Sequence, residues 1–553
     1  MKPHNAFRFP MLAFCLLALV ACADGPSEPF DVVEATIPEM QRAMEEGRLT
    51  SRELVEAHLL RIALYEERVN AVISVNENAL AEADRLDRER AEGNVRGPLH
   101  GIPIALKDNV HTTDIPTTGG TLAFEGFYPP YDATLVTNLR EAGAIILAKT
   151  VMTELANFMA RGMPGNYSAL AGYGLNPYDP RRDPREGRND GRPVMGVGGS
   201  SSGIGTAMSF WAANVGTETS GSILSPSNAN MLAGIKPTVG RISRYGIIPI
   251  TGDQDTAGPM ARTVTDAAIF FGALESATPD PNDPATGRCE VPPNGDYTAF
   301  LNAAGLQGAR IGIPRALYYD SIQVPGTDRY QSRLDEEGSV IMAEAIAILE
   351  QQGAIIVDPA DIPSVIDPNP ETSLLTNGQS SVLEYGMKRD FNAWLATLDD
   401  SAPVRTLTEL RAWNEAHREA GAIKYEQALL DLSDEVDLEA DRARYEADRA
   451  RDVELNGTRG IDQVMEEMEL DALLFPGSSG AGIAARPGYP TVIVPFAFLD
   501  TEADPPMPEG FDAKPRPFGV SFTGGACAEP RLLELAYAFE QATMRRVAPS
   551  DFQ

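Results

Sequence analysis

The sequence predicts an α/β protein in which helices surround a buried β-sheet. Two short segments, 102–106 and 144–147, have the near-continuous hydrophobicity of strands that are buried on both faces, as in parallel sheets. Thr50–Glu53 has the pattern of a capping box, and leucines at helical spacing follow it. Segments 473–476 and 490–495 return to buried-strand character near the C-terminus. Because the motifs described below are spread along the whole chain, we expect one large unit.

Residues 365–469 are acidic and largely helical in pattern, with 422–454 dense in Asp, Glu, Arg and Ala. A dimerising coiled coil in this region would make the protein a homodimer. Apolar heptads are not sustained, however, which favours a solvated helical cap. Segment 277–296 is rich in Pro, Asp, Asn and Gly and predicts a surface loop.

Composition argues against several classes of function. The 553 residues carry a formal net charge of −33, which disfavours a nucleic-acid partner because such binding needs a basic surface. Neither Cys-x-x-Cys nor His-Glu-x-x-His spacing occurs, so we expect no metal. Cys289 and Cys527 could pair in an oxidising compartment, but two distant cysteines do not define a bridge, and the sequence leaves their pairing open.

The N-terminus has the pattern of an export signal. After a basic start, residues 10–20 form an apolar run that is too short to span a bilayer comfortably. We assign residues 1–21 to a signal peptide and 22–30 to a tether. The run ends in Leu-Val-Ala-Cys at Cys22, which resembles the bacterial lipobox, whose cysteine is lipidated; an ordinary secretory signal is the alternative. This resemblance implies an exported protein, lipid-anchored to a bacterial membrane and facing the periplasm. Ala23 after the cysteine points to the outer membrane.

Two turns rich in glycine and serine carry the strongest signs of chemistry. Gly198–Gly203 contains three consecutive serines, and Thr217–Ser222 follows after a short apolar run. Glycine lets backbone N–H groups approach a ligand closely, so a serine in such a turn can act as a nucleophile beside an oxyanion site. The chain has five histidines, none of them in these turns, and no G-x-S-x-G elbow. A Ser-His-Asp triad is therefore the weaker interpretation.

Lys107 is the better base, because it directly follows the predicted strand 102–106. Desolvation at the end of a buried strand lowers the pKa of a lysine toward neutrality, and a neutral amine can accept a proton. The alternative is a structural lysine whose ammonium pairs with Asp108 or a nearby carboxylate.

Three motifs, in order, resemble those of the amidase signature family of serine hydrolases. The family patterns G-I-P-x-x-x-K-D, G-G-S-[GS]-[GS]-G and G-T-[DE]-x-x-G-S match Gly101–Asp108, Gly198–Gly203 and Gly216–Ser222. Flanking matches extend the likeness over about residues 31–546, which we take as the amidase domain, with the variable helical cap at about 365–469. The resemblance implies a central mixed β-sheet surrounded by helices.

The resemblance also implies a role for each matching residue. Ser222 corresponds to the nucleophile, Lys107 to the base, and Ser200 to the serine that passes the proton between them. The oxyanion hole corresponds to the backbone N–H groups of Thr219, Ser220, Gly221 and Ser222. The implied activity is hydrolysis of a small-molecule carboxamide, either a peptide amide or an acylamide, through an acyl-enzyme on Ser222. No cofactor is implied.

The sequence departs from the family pattern at three points. The separation between Ser200 and Ser222 is two residues shorter than the spacing expected for the family. This difference leaves Ser201 as an alternative bridging serine. Ser220 replaces the glycine or aspartate that is usual in that turn. Leu224 stands where many members carry arginine, which argues against recognition of an anionic group near the nucleophile.

Other functions stay open as alternatives. An esterase or lactam hydrolase of the same family would use the same acyl-enzyme. The glutaminase component of a transamidase is disfavoured, because its partners are cytoplasmic whereas this chain carries an export pattern. A non-catalytic, surface-anchored binding protein could keep the fold, but the joint retention of Lys107, Ser200 and Ser222 argues against it.

Overall fold

A computed structural model describes residues 30–199, 203–501 and 503–552. Their strands are β1 (Val72–Val75), β2 (Pro103–Lys107), β3 (Ile145–Thr150), β4 (Tyr167–Ser168), β5 (Gly172–Tyr173), β6 (Ala213–Glu218), β7 (Ala233–Lys236), β8 (Thr256–Ala261), β9 (Arg310–Gly312), β10 (Ile322–Gln323), β11 (Tyr330–Gln331), β12 (Ile355–Val357), β13 (Ala472–Pro476), β14 (Thr491–Leu499) and β15 (Arg516–Thr523).

The helices of the described residues are α1 (Ile37–Glu45), α2 (Ser51–Val69), α3 (Ala79–Ala91), α4 (Thr134–Glu141), α5 (Ile204–Ala207), α6 (Leu224–Ala229), α7 (Val264–Leu274), α8 (Arg315–Tyr318), α9 (Glu336–Gln351), α10 (Pro363–Ile366), α11 (Val382–Leu395), α12 (Leu407–Ala416), α13 (Ala428–Glu435), α14 (Arg442–Val453), α15 (Gln463–Glu467), α16 (Ala481–Ala485) and α17 (Glu529–Thr543). A π-helical segment, Glu454–Asp462, joins α14 to α15.

Eleven of these strands form one sheet, in the order β1-β3-β2-β6-β8-β7-β14-β15-β13-β9-β12. Strand β2 lies parallel between β3 and β6, and β9 lies parallel between β12 and β13, whereas the remaining neighbours are antiparallel. The sheet is therefore mixed, as the resemblance implies. Every residue of β2, β3 and β6 is buried, which explains their apolar sequences.

The four strand predictions from hydrophobicity are confirmed as β2, β3, β13 and β14. The helix prediction is confirmed as well, because Thr50 caps α2. The Thr50 hydroxyl accepts from the N–H of Glu53 at 3.1 Å, and the Glu53 carboxylate accepts from the N–H of Thr50 at 2.9 Å. This reciprocal pair satisfies two of the N–H groups that a helix start leaves unpaired.

Helices α11 to α13 lie over a hydrophobic cluster that is separate from the main core. Helices α11 and α12 contribute Phe391 and Leu410 to it, and the body of the protein contributes Phe124, Leu155 and Ile248. By contrast, α14 buries Asp452 alone among its residues, so its surface is polar and solvated. These helices thus cover the segments that follow β2 and β3 in the chain.

The signal peptide, the lipidation residue Cys22 and nearly all of the tether lie outside the described residues. In the described part, Cys289 and Cys527 form a disulfide with a Cα–Cα distance of 5.4 Å. It joins the irregular segment 277–296 to the turn before α17. No helix within residues 30–199, 203–501 and 503–552 is long and apolar enough to cross a membrane.

Candidate active site

The candidate site lies at the edge of the sheet where β2 and β6 end. Because these strands are parallel neighbours, their carboxyl ends meet at the same edge. Leu106 pairs with Val215, so Lys107, the last residue of β2, lies beside the last residues of β6. The turn 219–222, which contains Ser222, follows β6 directly. The strand register thus brings the predicted base to the start of the predicted nucleophile turn.

The Lys107 side chain is fully buried and bonded to β6. Its Nζ donates to the Thr217 carbonyl oxygen at 3.0 Å and to Thr217 Oγ1 at 2.9 Å. Burial lowers the pKa of Lys107 from 10.5 to about 7, and the negative charges of Asp255 and Glu218 partly oppose this effect. Near neutral pH a large share of the Lys107 side chain is therefore an uncharged amine.

Asp108 is engaged elsewhere and is not the hydrogen-bond partner of Lys107. Its carboxylate accepts from the hydroxyl and the N–H of Thr118, and Oδ1 lies 3.9 Å from Nζ of Lys149. Burial raises the pKa of Asp108 to about 6 and lowers that of Lys149 to about 8. The structural role that a buried lysine can play beside Asp108 thus belongs to Lys149.

The predicted nucleophile turn, 219–222, is held by the residue that precedes it. Glu218 Oε2 accepts from the N–H of Ile223 at 2.8 Å and from the N–H of Leu224 at 3.0 Å, so one carboxylate ties the two ends of the turn together. Gly221 has φ +93°, a conformation that costs glycine little. Ser222 is largely buried, with 8% of its surface exposed.

The first glycine–serine segment runs directly beside Ser222. A Cβ at Gly199 would lie 3.2 Å from Ser222 Oγ, a tight contact that glycine avoids. The Gly199 carbonyl accepts from Thr153 Oγ1 at 2.8 Å, and that hydroxyl in turn accepts from the N–H of Asn166 at 2.8 Å. Residues 200–202, including the predicted bridge Ser200 and its alternative Ser201, lie outside the described residues.

Asp255 is a site residue that sequence reasoning missed. One carboxylate oxygen accepts from Thr219 Oγ1 at 2.5 Å, and the other accepts from the N–H groups of Ile250 and Thr251 at 2.8 and 2.9 Å. Burial raises the pKa of Asp255 to about 6.

The sequence analysis also did not predict the contacts that Thr153 makes with Gly199 and that Thr217 makes with Lys107. Thr217 lies inside a recognised motif, whereas Thr153 and Asp255 lie outside the three patterns that identify the site.

A cavity of about 250 Å³ opens beside the nucleophile turn, at Thr217 and Thr219. Its far wall comes from α11 and the residues that follow it.

Leu224, at the position where many family members carry arginine, is fully buried against Ala481 and Ile493. In the part of the chain that the structure describes, no group of three or more His, Cys, Asp or Glu side chains is placed to hold a metal ion.

Comparisons with known proteins agree with this geometry. The family model named Amidase matches residues 53–533. A probable amidase of Arabidopsis thaliana is 35% identical over 95% of this chain and 93% of its own length. The X-ray structure of native peptide amidase from Stenotrophomonas maltophilia is 36% identical, covers 94% of this chain and 99% of its own, and superposes with a TM-score of 0.79.

Another relative has a name that refers to transfer RNA. A glutamyl-tRNA(Gln) amidotransferase component of Synechococcus sp. (strain WH7803) is 30% identical over 92% of this chain and 96% of its own length. The match of the family model to most of the chain, together with the likeness to amidases over nearly the full length, settles the family. The chain belongs to the amidase signature family and is a hydrolase that acts on amide bonds.

Proposed function

We propose that the protein hydrolyses a carboxamide through an acyl-enzyme on Ser222, with Lys107 as the base and Ser200 as the proton bridge. The observation that carries this proposal is the buried Lys107, whose pKa lies at about 7, at the sheet edge where the turn 219–222 begins. A base whose pKa is near the operating pH combines the correct protonation state with a driving force for proton transfer.

In the first half-reaction, neutral Lys107 takes a proton from Ser200 while Ser200 takes the proton of Ser222 Oγ. The Ser222 oxygen attacks the amide carbon, and the resulting oxyanion is held by N–H groups of the turn 219–222. The C–N bond then breaks, and the proton returns through Ser200 to the leaving amine. The product of this step is an ester between the acyl group and Ser222.

In the second half-reaction, a water molecule attacks the ester carbon and gives its proton to the same relay. The carboxylic acid leaves, and Ser222 recovers its proton. During each transfer Lys107 becomes an ammonium ion, and the negative charges of Asp255 and Glu218 favour that form. These charges keep the pKa of the buried lysine from falling further, so the amine remains a usable base.

For the substrate, we propose a peptide amide or an acylamide, by analogy with the peptide amidase to which this chain is similar. A glutaminase role is less favoured. Leu224 offers no cation near the nucleophile, and its side chain is buried in an apolar cluster. The proposed export of the chain would also separate it from cytoplasmic transfer RNA.

A fluorophosphonate probe combined with an assay of ammonia release from peptide amides tests the proposal. The wild-type protein should release ammonia and carry one probe adduct at Ser222, and Ser222→Ala should lose both. Ser225→Ala is the matched control, since it removes a serine hydroxyl three residues further along and should keep both. Near-normal turnover by Ser222→Ala would contradict the mechanism, and a folded wild-type protein that neither reacts nor turns over would support a binding protein instead.

We further propose that the protein is exported and lipid-anchored through Cys22, in the outer membrane. The apolar run that ends at Cys22 supports this, and the disulfide Cys289–Cys527 suits an oxidising compartment. Palmitate labelling of cells should mark the wild-type protein, and Cys22→Ala should abolish both the label and cleavage at that residue. An unlabelled wild-type protein would mean that no lipid anchor exists.

For the organisation of the chain, we propose a signal peptide at 1–21, a tether at 22–30 and a catalytic domain at 31–546, with its cap at about 365–469. Helix α1 begins at Ile37, and Phe30 already packs against the main core, which supports a domain that starts near residue 31. A homodimer through the cap has less support, because α14 presents no apolar seam. Light scattering on the purified protein would distinguish a monomer from a dimer.

A further inference from the structure

We propose that the cavity beside the nucleophile turn selects amides whose acyl part carries an aromatic or apolar side chain and no carboxylate, with Trp394 as a specificity-determining residue. This inference rests on the proposed function and names the substrate class of the same site. It follows from the size of the cavity, from the pairing of its charges and from the way Trp394 is held.

The cavity has the size and the walls of a pocket for one ring. Its volume is about 250 Å³, whereas an apolar cavity of roughly 150 Å³ already accommodates benzene, so a ring and a short linker would fit. The rings of Tyr131 and Tyr245 stack at one side, with centroids 4.7 Å apart and planes 13° apart. Trp394 and Ile248 add further apolar surface. Flat aromatic walls favour a planar or branched apolar group.

The cationic side chain that lines the cavity is paired within the protein, and the other charged residues of the lining are acidic. Arg244, the sole arginine or lysine that the described part of the chain contributes to the lining, binds Asp283 through two guanidinium nitrogens at 2.7 and 2.5 Å. Asp390 accepts from the Gly252 N–H at 2.7 Å and from Arg389 at 2.8 Å. A substrate carboxylate in the cavity would therefore find no free cation among these residues and would face the negative charge of Asp390.

Trp394 is fixed by a residue of the protein body. Its indole N–H donates to His111 Nε2 at 2.9 Å, and both side chains are buried. Burial lowers the pKa of His111 to about 3, so the ring is neutral near pH 7 and Nε2 can accept this bond. Thr397, one turn beyond Trp394, bonds its hydroxyl to that of Tyr131 at 2.5 Å. The wall that α11 contributes is thus held in place before a substrate arrives.

Recognition has to come from the acyl part when the substrate is a primary amide. The leaving group is then ammonia, which offers almost no surface for binding. The interactions that raise the rate must be made with the rest of the substrate, and the cavity lining includes Thr219, three residues before Ser222 in the chain. An acyl side chain that enters the cavity would hold the scissile carbonyl near Ser222.

The test compares kcat/KM of the purified full-length protein for the α-amides of N-acetyl-phenylalanine, N-acetyl-glycine and N-acetyl-aspartic acid. We expect the phenylalanine amide to exceed the glycine amide by about tenfold or more, and the aspartate amide to fall below glycine. Trp394→Ala should reduce the ratio of phenylalanine to glycine about tenfold, mainly through KM. Trp413→Ala is the matched control, because that tryptophan lies on α12 and stacks on His417, outside the cavity lining, and the ratio should not change.

Two further variants keep the inference falsifiable if Trp394→Ala does not fold. Tyr245→Leu removes one ring of the stacked pair, and His111→Leu removes the acceptor of the Trp394 N–H; each should lower the same ratio. His111→Gln, which retains an acceptor, should restore part of it. Equal rates for the phenylalanine and glycine amides, or a ratio that none of these substitutions changes, would overturn the inference.

The outcome also separates this inference from the proposed function. A wild-type protein that turns over amides and takes up the fluorophosphonate, but without preference among the three amides, would overturn the selectivity alone. A folded protein that hydrolyses none of them and takes up no probe would overturn both.

Discussion

Replacing Lys107 with methionine separates the chemistry of the site from the stability of the fold. Methionine carries no charge and has a similar length, so it fills the same buried space beside Thr217. In the proposed mechanism the variant has no base, and we expect kcat/KM to fall by about two to four orders of magnitude. At neutral pH, however, we expect its free energy of unfolding to rise.

The size of this gain follows from the pKa of the buried amine. Burial lowers the pKa of Lys107 from 10.5 to about 7, and each pKa unit corresponds to about 1.4 kcal/mol. Between about pH 7 and pH 10.5 the Lys107 side chain binds more protons in the unfolded state than in the folded state, so the free energy of unfolding rises with pH. The lysine therefore destabilises the fold by about 4 kcal/mol at pH 7 and by about 2 kcal/mol at pH 9.

Methionine also removes a benefit, because the two Thr217 oxygens lose the donor that Lys107 provides. This loss costs about 1–3 kcal/mol and does not depend on pH. The net expectation is that the variant is more stable than the wild type by about 1–3 kcal/mol at pH 7, and that this advantage shrinks by about 2 kcal/mol at pH 9.

Denaturant unfolding of both proteins at the two pH values measures this change, and contributions that do not depend on pH cancel in the comparison. Lys107→Arg is the control: it should be inactive as well, since the guanidinium stays protonated, but without the gain in stability. A stability difference that stays constant from pH 7 to pH 9 would refute the idea of a neutral buried lysine, as would a methionine variant that retains most of its activity.

The remaining predictions concern residues around the site. Asp255→Asn removes a negative charge that raises the pKa of Lys107, so the acidic limb of kcat/KM against pH should move to lower pH. Replacing both Cys289 and Cys527 with serine should lower the free energy of unfolding by about 5 kcal/mol in the chain-entropy model, since the disulfide closes a loop of 238 residues. Thr153→Val should lower kcat about 10- to 100-fold with little change in KM, because the Gly199 carbonyl loses its donor, whereas Thr153→Ser should behave like the wild type.

Each of these expectations has a clear opposite outcome. An acidic limb that stays in place or moves to higher pH in Asp255→Asn would mean that this carboxylate does not set the pKa of the base. If dithiothreitol leaves the unfolding midpoint of the wild type unchanged, the disulfide does not stabilise the fold. If Thr153→Ser is as slow as Thr153→Val, the loss reflects packing and not the hydroxyl bond to Gly199.

The central strands could be predicted from the sequence because they are buried on both faces. β2 and β3 each begin with four consecutive apolar residues, and such short apolar runs are typical of strands that are buried on both faces. β9 and β12 could not be found in the same way. They are three residues long and half-buried in part, so their sequences resemble those of loops. Their place in the sheet comes from pairing with β13 and with each other.

Within the candidate site, the residues that belong to the three family motifs could be predicted from the sequence. The residues that hydrogen-bond to those motifs could not. Lys107 and Ser222 stand in recognisable patterns, whereas Asp255 and Thr153 reach the site through folding alone. Trp394 gives no functional signal in the sequence, because an apolar residue on an amphipathic helix usually packs in a core. Only its contact with His111 and its position on the cavity wall distinguish it.

The central claim is that amide hydrolysis proceeds through an ester on Ser222. Acid quenching during turnover of an N-acetyl amino acid amide, followed by proteolysis and mass spectrometry, tests it most directly. We predict that the peptide containing Ser222 gains the mass of the acyl group, that the site of addition is Ser222 Oγ, and that the adduct is absent in Ser222→Ala. The account would be contradicted if the active enzyme carried the acyl adduct on another residue. It would also be contradicted if the Ser222→Ala variant still hydrolysed the amide.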